Sequence, residues 1–150
     1  MDVTATLDTP YSAEVLFEWV SDLGRYPRWL DIVPRADPAG DDNGDADAPA
    51  WTVDLRGRLG PFARSKRLRM VRTRNDVPKA VAFERRERDG RSHSPWLLEA
   101  QVAEGDDGGS RLVMRLHYGG GLWGPLVERL LSDEIERSKP RLLALIAADR

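Results

Sequence analysis

At 150 residues the chain suits one domain over residues 1–150, and the absence of cysteine excludes disulfide frameworks, thiol nucleophiles and cysteine-ligated metal sites. The formal net charge of −2 is unevenly distributed, because residues 56–91 carry 13 lysines and arginines against four acids. The acidic start lacks an apolar signal region and the longest apolar run, residues 142–148, is far too short for a bilayer span, so we expect a soluble cytoplasmic protein.

The first part of the chain predicts one strand followed by two short helical segments. Residues 3–7 alternate between apolar and polar, as in a strand with one buried face. Ser12 is a suitable N-cap for a helix over residues 13–22. Residues 25–30 predict a second helical turn, and residues 32–33 predict a brief edge strand.

Residues 37–49 form an acidic segment, DPAGDDNGDADAP, without an apolar period. We interpret it as a mobile surface loop. Its aspartates are calcium-type ligands, but the EF-hand pattern requires a glutamate at its twelfth position and flanking helices. Neither is predicted here, so we reject a calcium site.

Five runs of alternating apolar and polar residues follow between Trp51 and Tyr118. They predict strands, because period two places successive side chains on opposite faces of a sheet. Turn-forming segments separate the runs, at residues 60–61, 75–78, 89–90 and 105–109. Consecutive strands with short connections predict an antiparallel meander that has one apolar face.

Residues 122–148 show the longest helical period in the chain. The apolar stripe widens at the N-terminal end, so we expect the first turns to bury the most apolar area. Pro140 lacks the N–H that an interior helical position uses, and a bend or a frayed turn is expected near Arg137. This helix must lie across the apolar face of the sheet.

The basic segment 56–91 has two interpretations. Its arginines alternate with apolar residues, which favours the solvent face of antiparallel strands opposite acids such as Asp54, Glu84 and Glu87. The alternative is a surface that attracts nucleic acid, acidic lipid or an acidic partner. We prefer the first interpretation, because the basic residues neither cluster on a helix nor interleave with aromatic ones.

Two segments carry a family resemblance, SAEVLF at residues 12–17 and DLGRYPRWL at residues 22–30. Together with the element order they resemble the START/Bet v 1-like (SRPBCC) superfamily, and the second segment is similar to the D-x-x-x-Y-P-x-W segment of its bacterial polyketide cyclase/dehydrase and lipid-transport group. The resemblance implies an α+β helix-grip fold, in which a curved antiparallel sheet of about seven strands wraps the C-terminal helix around a cavity. Members bind lipids, sterols, polyketides or quinone-like molecules, and some are cyclases.

The residues on the apolar face of the meander and helix are the predicted ligand-binding set. They are Trp51, Val53, Leu55, Leu68, Met70, Phe83, Arg85, Trp96, Leu98, Met114, Leu116, Tyr118, Leu126, Val127, Leu130 and Leu131. Aromatic and methionine side chains suit an apolar, ring-containing ligand, although the same residues would equally fill a core. Arg85, and less strongly Lys66, would hold a ligand carboxylate or phosphate, while Tyr118 would offer a hydroxyl.

No catalytic set, metal site or cofactor is predicted. His93 and His117 are the only histidines, and neither lies in a metal-ligand pattern. Residues 119–124 match G-x-G-x-x-G literally, but the chain lacks the parallel βαβ unit that a dinucleotide site requires. Three consecutive glycines there predict a flexible hinge instead.

The favoured function is a carrier or sensor that binds a small hydrophobic ligand between sheet and helix. One alternative is a polyketide aromatase/cyclase that uses Arg85 and Tyr118 for proton transfer. A second is a toxin-like member that binds RNA or the ribosome through the basic strand surface. We regard a nucleic-acid partner as the weaker idea, and the oligomeric state is left open.

Overall fold

A computed structural model describes residues 1–39, 48–59, 62–119 and 125–149. These residues form strands β1 to β7, two α-helices and one short 3-10 helix. The strands are Asp2–Thr9, Arg35–Pro38, Ala50–Leu59, Phe62–Asp76, Ala80–Arg85, Trp96–Glu104 and Ser110–Tyr118. Helix α1 is Ala13–Val20, the 3-10 helix is Leu23–Arg28, and α2 is Pro125–Ala148.

The strands form one antiparallel sheet in the order β1-β7-β6-β5-β4-β3-β2. Strands β3 to β7 are consecutive in this order, as a meander requires, and β1 joins the sheet beside β7. This confirms the predicted α+β architecture of about seven strands with a long C-terminal helix. We call the sheet face that carries Val53, Phe83 and Leu112, each at most 3% exposed, the inner face.

The start of the chain folds as its local sequence predicts. The Ser12 side chain accepts a hydrogen bond from the Val15 amide at 3.3 Å, which caps α1. Leu16 and Trp19 lie on the buried side of the helix, at 0% and 1% exposure. The predicted helical turn at residues 25–30 is the 3-10 helix, and its N-cap Asp22 accepts from the Gly24 amide at 2.8 Å.

The predicted edge strand at residues 32–33 is wrong. Strand β2 begins after Pro34 and pairs with β3 from Arg35 opposite Asp54 to Pro38 opposite Trp51. Proline has no N–H to give to a ladder, so regular pairing starts beyond it. The first residues of the predicted acidic loop therefore belong to a strand, and residues 40–47 lie outside the described part of the chain.

The described side chains of helix α2 are buried most deeply in its C-terminal turns. The expectation that the first turns bury the most apolar area rests mainly on Leu122 and Leu126, whose side chains lie outside the described residues. Leu142 and Ile146 are each 1% exposed, whereas Leu130 and Leu131 are only half-buried. An ion pair of 2.5 Å between Arg141 and Asp31 also fastens the C-terminal turns to the loop after the 3-10 helix. The helix continues through Pro140 to Ala148.

Several arginines of the basic segment pair with acids on the outer face. Arg67 Nε lies 2.8 Å from Asp54 Oδ1, and Arg86 Nη2 lies 3.5 Å from Glu84 Oε2. Arg72 differs, because it lies opposite Phe83 on the inner face and its Nη1 donates to the Ser21 carbonyl at the end of α1. None of the helices in the described ranges is long and apolar enough to cross a membrane.

Candidate ligand-binding site

A cavity of about 80 Å³ lies between the inner face of the sheet, the 3-10 helix and the middle of α2. Its walls are almost wholly apolar. They comprise Val3, Ala5, Thr6, Leu7, Tyr26, Trp29, Leu30, Ile32, Leu98, Leu112, Met114, Leu116, Ile135, Ser138, Lys139 and Leu142. Pockets for drug-sized ligands have volumes of roughly 300–1,000 Å³. A ligand of that size therefore requires α2 or its neighbours to move outward.

The structure divides the predicted ligand-binding residues into separate groups. Leu98, Met114 and Leu116 line the cavity. The buried core instead takes up Trp51, Val53, Leu68, Met70 and Phe83, with Leu55 packed against it. Leu130 and Leu131 are half-buried outside the cavity lining, and the side chains of Leu126 and Val127 lie outside the described residues. Arg85, Trp96 and Tyr118 belong to a separate cluster at one end of the inner face.

The prediction missed two walls of the cavity, strand β1 and the segment that begins with the 3-10 helix. Val3 and Ala5 share the alternation by which β1 was predicted, so their inward position was readable from the sequence. Tyr26 and Trp29 belong to the motif that carried the family resemblance. Their contact with the cavity depends on the path of the chain after α1, which periodicity does not report.

Tyr26 holds the 3-10 helix against the end of α1. Its ring is fully buried, and its hydroxyl donates to the Val20 carbonyl at 2.8 Å. The ring centroid lies 4.7 Å from that of Trp29 and 6.3 Å from that of Phe83. Burial raises the pKa of Tyr26, and the charge of Asp22 adds to the effect, because the phenolate would lose its hydration. The neutral phenol is thus a fixed part of the wall.

Tyr26→Phe is expected to change how stability depends on alkaline pH. The raised pKa of folded Tyr26 means that its contribution is complete below pH 10, the ordinary tyrosine value, and declines above it by about 1.4 kcal/mol per pH unit. The variant should lose about 1–3 kcal/mol at neutral pH, because the Val20 carbonyl loses its donor. Urea denaturation from pH 7 to 11 should show that the difference in unfolding free energy between the wild-type protein and the variant becomes smaller above pH 10. A difference that stays constant over this range would contradict the raised pKa of Tyr26.

Trp29 brings an unused hydrogen-bond donor to the cavity wall. Its side chain is 4% exposed, and its Nε1 is buried without a hydrogen-bond partner among the described residues. A buried donor without a partner costs about 1–3 kcal/mol. A ligand that carries a carbonyl or hydroxyl oxygen within reach of Nε1 would recover that cost.

The separate cluster at the end of the inner face is aromatic and charged. The rings of Trp96 and Tyr118 stack with centroids 4.8 Å apart and an interplanar angle of 16°. The Tyr118 hydroxyl donates to Met1 Sδ at 3.3 Å. Burial, and next the charge of Glu128, raise the pKa of Tyr118, which makes it a poor proton donor to a base at neutral pH.

Arg85 in this cluster is buried, with its side chain 8% exposed, and is held by the chain itself. Its Nε donates to Glu87 Oε1 at 3.0 Å and its Nη1 donates to the Ser94 carbonyl at 3.2 Å. Its Nη2 lies 3.3 Å from His93 Nδ1. Arg85 therefore fastens residues 86–95 to the end of β5. The alternation of apolar and polar residues placed Arg85 on the inner face but did not indicate this structural role.

Lys66 lies over this cluster from β4. Its Nζ is 5.8 Å from the centroid of the Trp96 ring, within the range of a cation–π contact. Burial lowers the pKa of Lys66, and the neighbouring charge of Arg85 lowers it further, while Glu87 acts in the opposite direction. No hydrogen bond or ion pair joins this ammonium group to the rest of the described chain.

Comparison with known proteins places the chain in context. Residues 1–145 match the family model described as polyketide cyclase/dehydrase and lipid transport. A comparison with curated proteins gave no significant match.

Among solved structures, a START superfamily protein from Mycobacterium smegmatis is 16% identical, with a TM-score of 0.72 and 99% of each chain covered. A protein from Thermus thermophilus is also 16% identical, with a TM-score of 0.74 and 99% of each chain covered. The Zhui aromatase/cyclase from Streptomyces sp. R1128 is 12% identical, with a TM-score of 0.69 over 98% of this chain and 93% of that one. At these identities the likeness shows the fold.

Proposed function

Because the chain belongs to the polyketide cyclase/dehydrase and lipid transport family, we propose that it binds a small hydrophobic ligand between its sheet and α2, as a carrier or sensor. The observation that carries this proposal is the apolar cavity at that position. Core side chains normally pack without such gaps, and an apolar gap is a place where a hydrophobic molecule gains contacts and water does not.

The uneven packing of α2 supports a cavity that enlarges when a ligand binds. Leu142 and Ile146 anchor the C-terminal turns in the core, whereas Leu130 and Leu131 remain half-buried. Outward movement of the turn around Leu130 and Leu131 would thus disturb fewer buried contacts than movement of the turns around Leu142 and Ile146. The loosely packed end of an element is the part from which ligand-gating motions are drawn.

Saturable binding of apolar ligands is the expected result for the purified protein. We would screen fatty acids, quinones and aromatic polyketides by thermal shift, and detect the complex by native mass spectrometry. A ligand at 100 times its Kd stabilises the native state by about 2.7 kcal/mol, which raises the melting temperature by several degrees. A melting temperature that none of these compounds changes would contradict the proposal.

Ala5→Leu is expected to weaken this binding strongly while the protein stays folded. Ala5 lies on the cavity wall, and the three added carbons would occupy the space that the ligand needs. Thr4→Leu is the matched control, because residue 4 is the exposed neighbour on the outer face. Titration of the best ligand should show at least about tenfold weaker binding, or 1.4 kcal/mol, for Ala5→Leu only. Equal affinity in all three proteins would place the ligand elsewhere.

The aromatase/cyclase alternative draws support from the fold shared with the Streptomyces enzyme. A cyclase needs free acid or base groups that face the substrate. The hydroxyls of Tyr26 and Ser138 already donate to main-chain carbonyls, and Lys139 donates to Glu136. Arg85 and Tyr118, which were predicted for this role, are not on the cavity wall. Because these groups are already hydrogen-bonded within the chain, ligand binding is favoured over catalysis.

A further inference from the structure

The charged cluster described above lies on the same face of the sheet as the cavity. Lys66 is opposite Leu55, which packs against the core, and Arg85 is opposite Met70, which is 5% exposed. Both cationic side chains therefore belong to the inner face. Charged side chains are rare on the inner face of a sheet, because their charges lose hydration there.

Lys66 is the cation of this cluster that has no direct acid partner among the described residues. Glu87 accepts a hydrogen bond from Arg85, and its charge reaches Lys66 only from a distance. The contact that Lys66 makes is with the face of Trp96. Asp89 bonds to His93 at 2.7 Å, and the charge of Glu128 acts on Tyr118. An anionic ligand group beside Lys66 would supply the direct partner that this ammonium lacks.

The cluster also adjoins the cavity along two strands. Leu98 pairs with Leu116 across β6 and β7, and both line the cavity. Trp96 pairs with Tyr118 at the next position on the same face. Neighbours on the same face of a strand are about 6.6–6.8 Å apart. A short alkyl chain or a single ring of a ligand is therefore long enough to reach from the cavity to the Trp96–Tyr118 pair. The Trp96 Nε1 is buried without a partner in the described chain and adds a second donor there.

We propose that the ligand is an amphipathic carboxylate, whose apolar part fills the cavity and whose carboxylate is bound by Lys66 beside Arg85, next to the stacked Trp96 and Tyr118 rings. This inference rests on the proposed function and adds the chemistry of the head group. A carboxylate supplies a negative charge and oxygen acceptors, which match the Lys66 ammonium and the Trp96 indole N–H, neither of which has a hydrogen-bond partner in the described chain.

Lys139 is the competing cation, since it lines the cavity itself. Its Nζ donates to Glu136 Oε1 at 2.6 Å, so its charge is already balanced. A carboxylate that bound Lys139 would have to displace that glutamate. The free ammonium of Lys66 offers the stronger site, because no acid must be removed.

The test compares octanoate with octanol and methyl octanoate, which share the apolar chain and lack the charge. Isothermal titration of the wild-type protein at pH 7 should show octanoate binding about 10–100-fold more tightly than octanol, since hydrogen bonds to charged groups contribute about 1.5–3 kcal/mol. Lys66→Met should remove this preference and leave octanol binding unchanged. Lys79→Met, at the opposite end of β5, is the matched control and should keep it.

Other outcomes would overturn the inference. Equal affinity of the wild-type protein for octanoate and octanol would do so while leaving the proposed function intact. A preference that survives Lys66→Met but disappears in Lys139→Met would move the head group to the other lysine. Absence of binding by all three compounds, together with a negative ligand screen, would remove the proposed function and this inference with it. Lys66 is the residue to replace, because Arg85 also holds residues 86–95.

Discussion

Phe83→Ala is expected to lower the free energy of unfolding by about 3–5 kcal/mol, the usual loss when a large buried aromatic side chain is removed. Phe83 is 0% exposed. Its ring centroid lies 5.6 Å from that of Trp51 and 6.3 Å from that of Tyr26, both in edge-on geometry. It therefore joins the sheet to the 3-10 helix, and its removal should also loosen the wall that Tyr26 and Trp29 form.

Urea denaturation followed by far-UV circular dichroism would measure this loss. Val77→Ala is the control, because Val77 is 64% exposed and its truncation should change stability by less than about 0.5 kcal/mol. The experiment separates two roles for Phe83. A ligand contact would lose affinity with little effect on the free protein, whereas a core residue destabilises the protein before any ligand is added. A loss below about 1 kcal/mol would contradict the core role.

Gly109→Ala is the second substitution with a large expected effect. A Cβ at this position would overlap the main-chain oxygen of Thr9 and would lie 3.5 Å from the Cα of Pro10. The two main chains meet where β7 begins beside the end of β1, and Thr9 Oγ1 lies 3.0 Å from Ser110 Oγ there. Because backbone rather than a flexible side chain is in the way, we expect a loss of about 1–3 kcal/mol or more.

Gly57→Ala is the matched control for this substitution. A Cβ added at Gly57 would meet no heavy atom of the described residues within 4 Å, and Gly57 lies within β3. Glycine in a strand costs roughly 0.5–1 kcal/mol relative to alanine, so the control should be neutral or stabilising. Thermal denaturation of both variants beside the wild-type protein would show opposite shifts. A Gly109→Ala protein as stable as the control would show that the β1 and β7 ends separate without cost.

The alternation of apolar residues predicted which side chains point inward, but not which of them face open space. Trp51, Phe83 and Leu98 share the inner face by that pattern, and the structure buries the first two in the core while the third lines the cavity. Alternation reports the face of a strand on which a side chain lies. It carries no information on how far the opposing element stands from it.

The C-terminal helix shows the same limit. Its helical period was predicted correctly, but the period did not predict that Leu142 and Ile146 are each 1% exposed while Leu130 and Leu131 are only half-buried. The amino-acid composition of this helix indicated that its N-terminal turns are more apolar than its C-terminal turns. The ion pair between Arg141 and Asp31 fastens the C-terminal turns, and it depends on a segment distant in sequence.

By itself, the sequence determined the strands of the meander, the capped first helix, the terminal helix and hence the fold, because local periodicity, caps and turns specify these elements. Only the tertiary structure decided that a small apolar space remains beneath α2 and that Lys66 lies over Trp96 without an acid partner in the described chain. Both features depend on how far strands and helix stand apart after packing, and distances between elements arise from the curvature of the whole sheet.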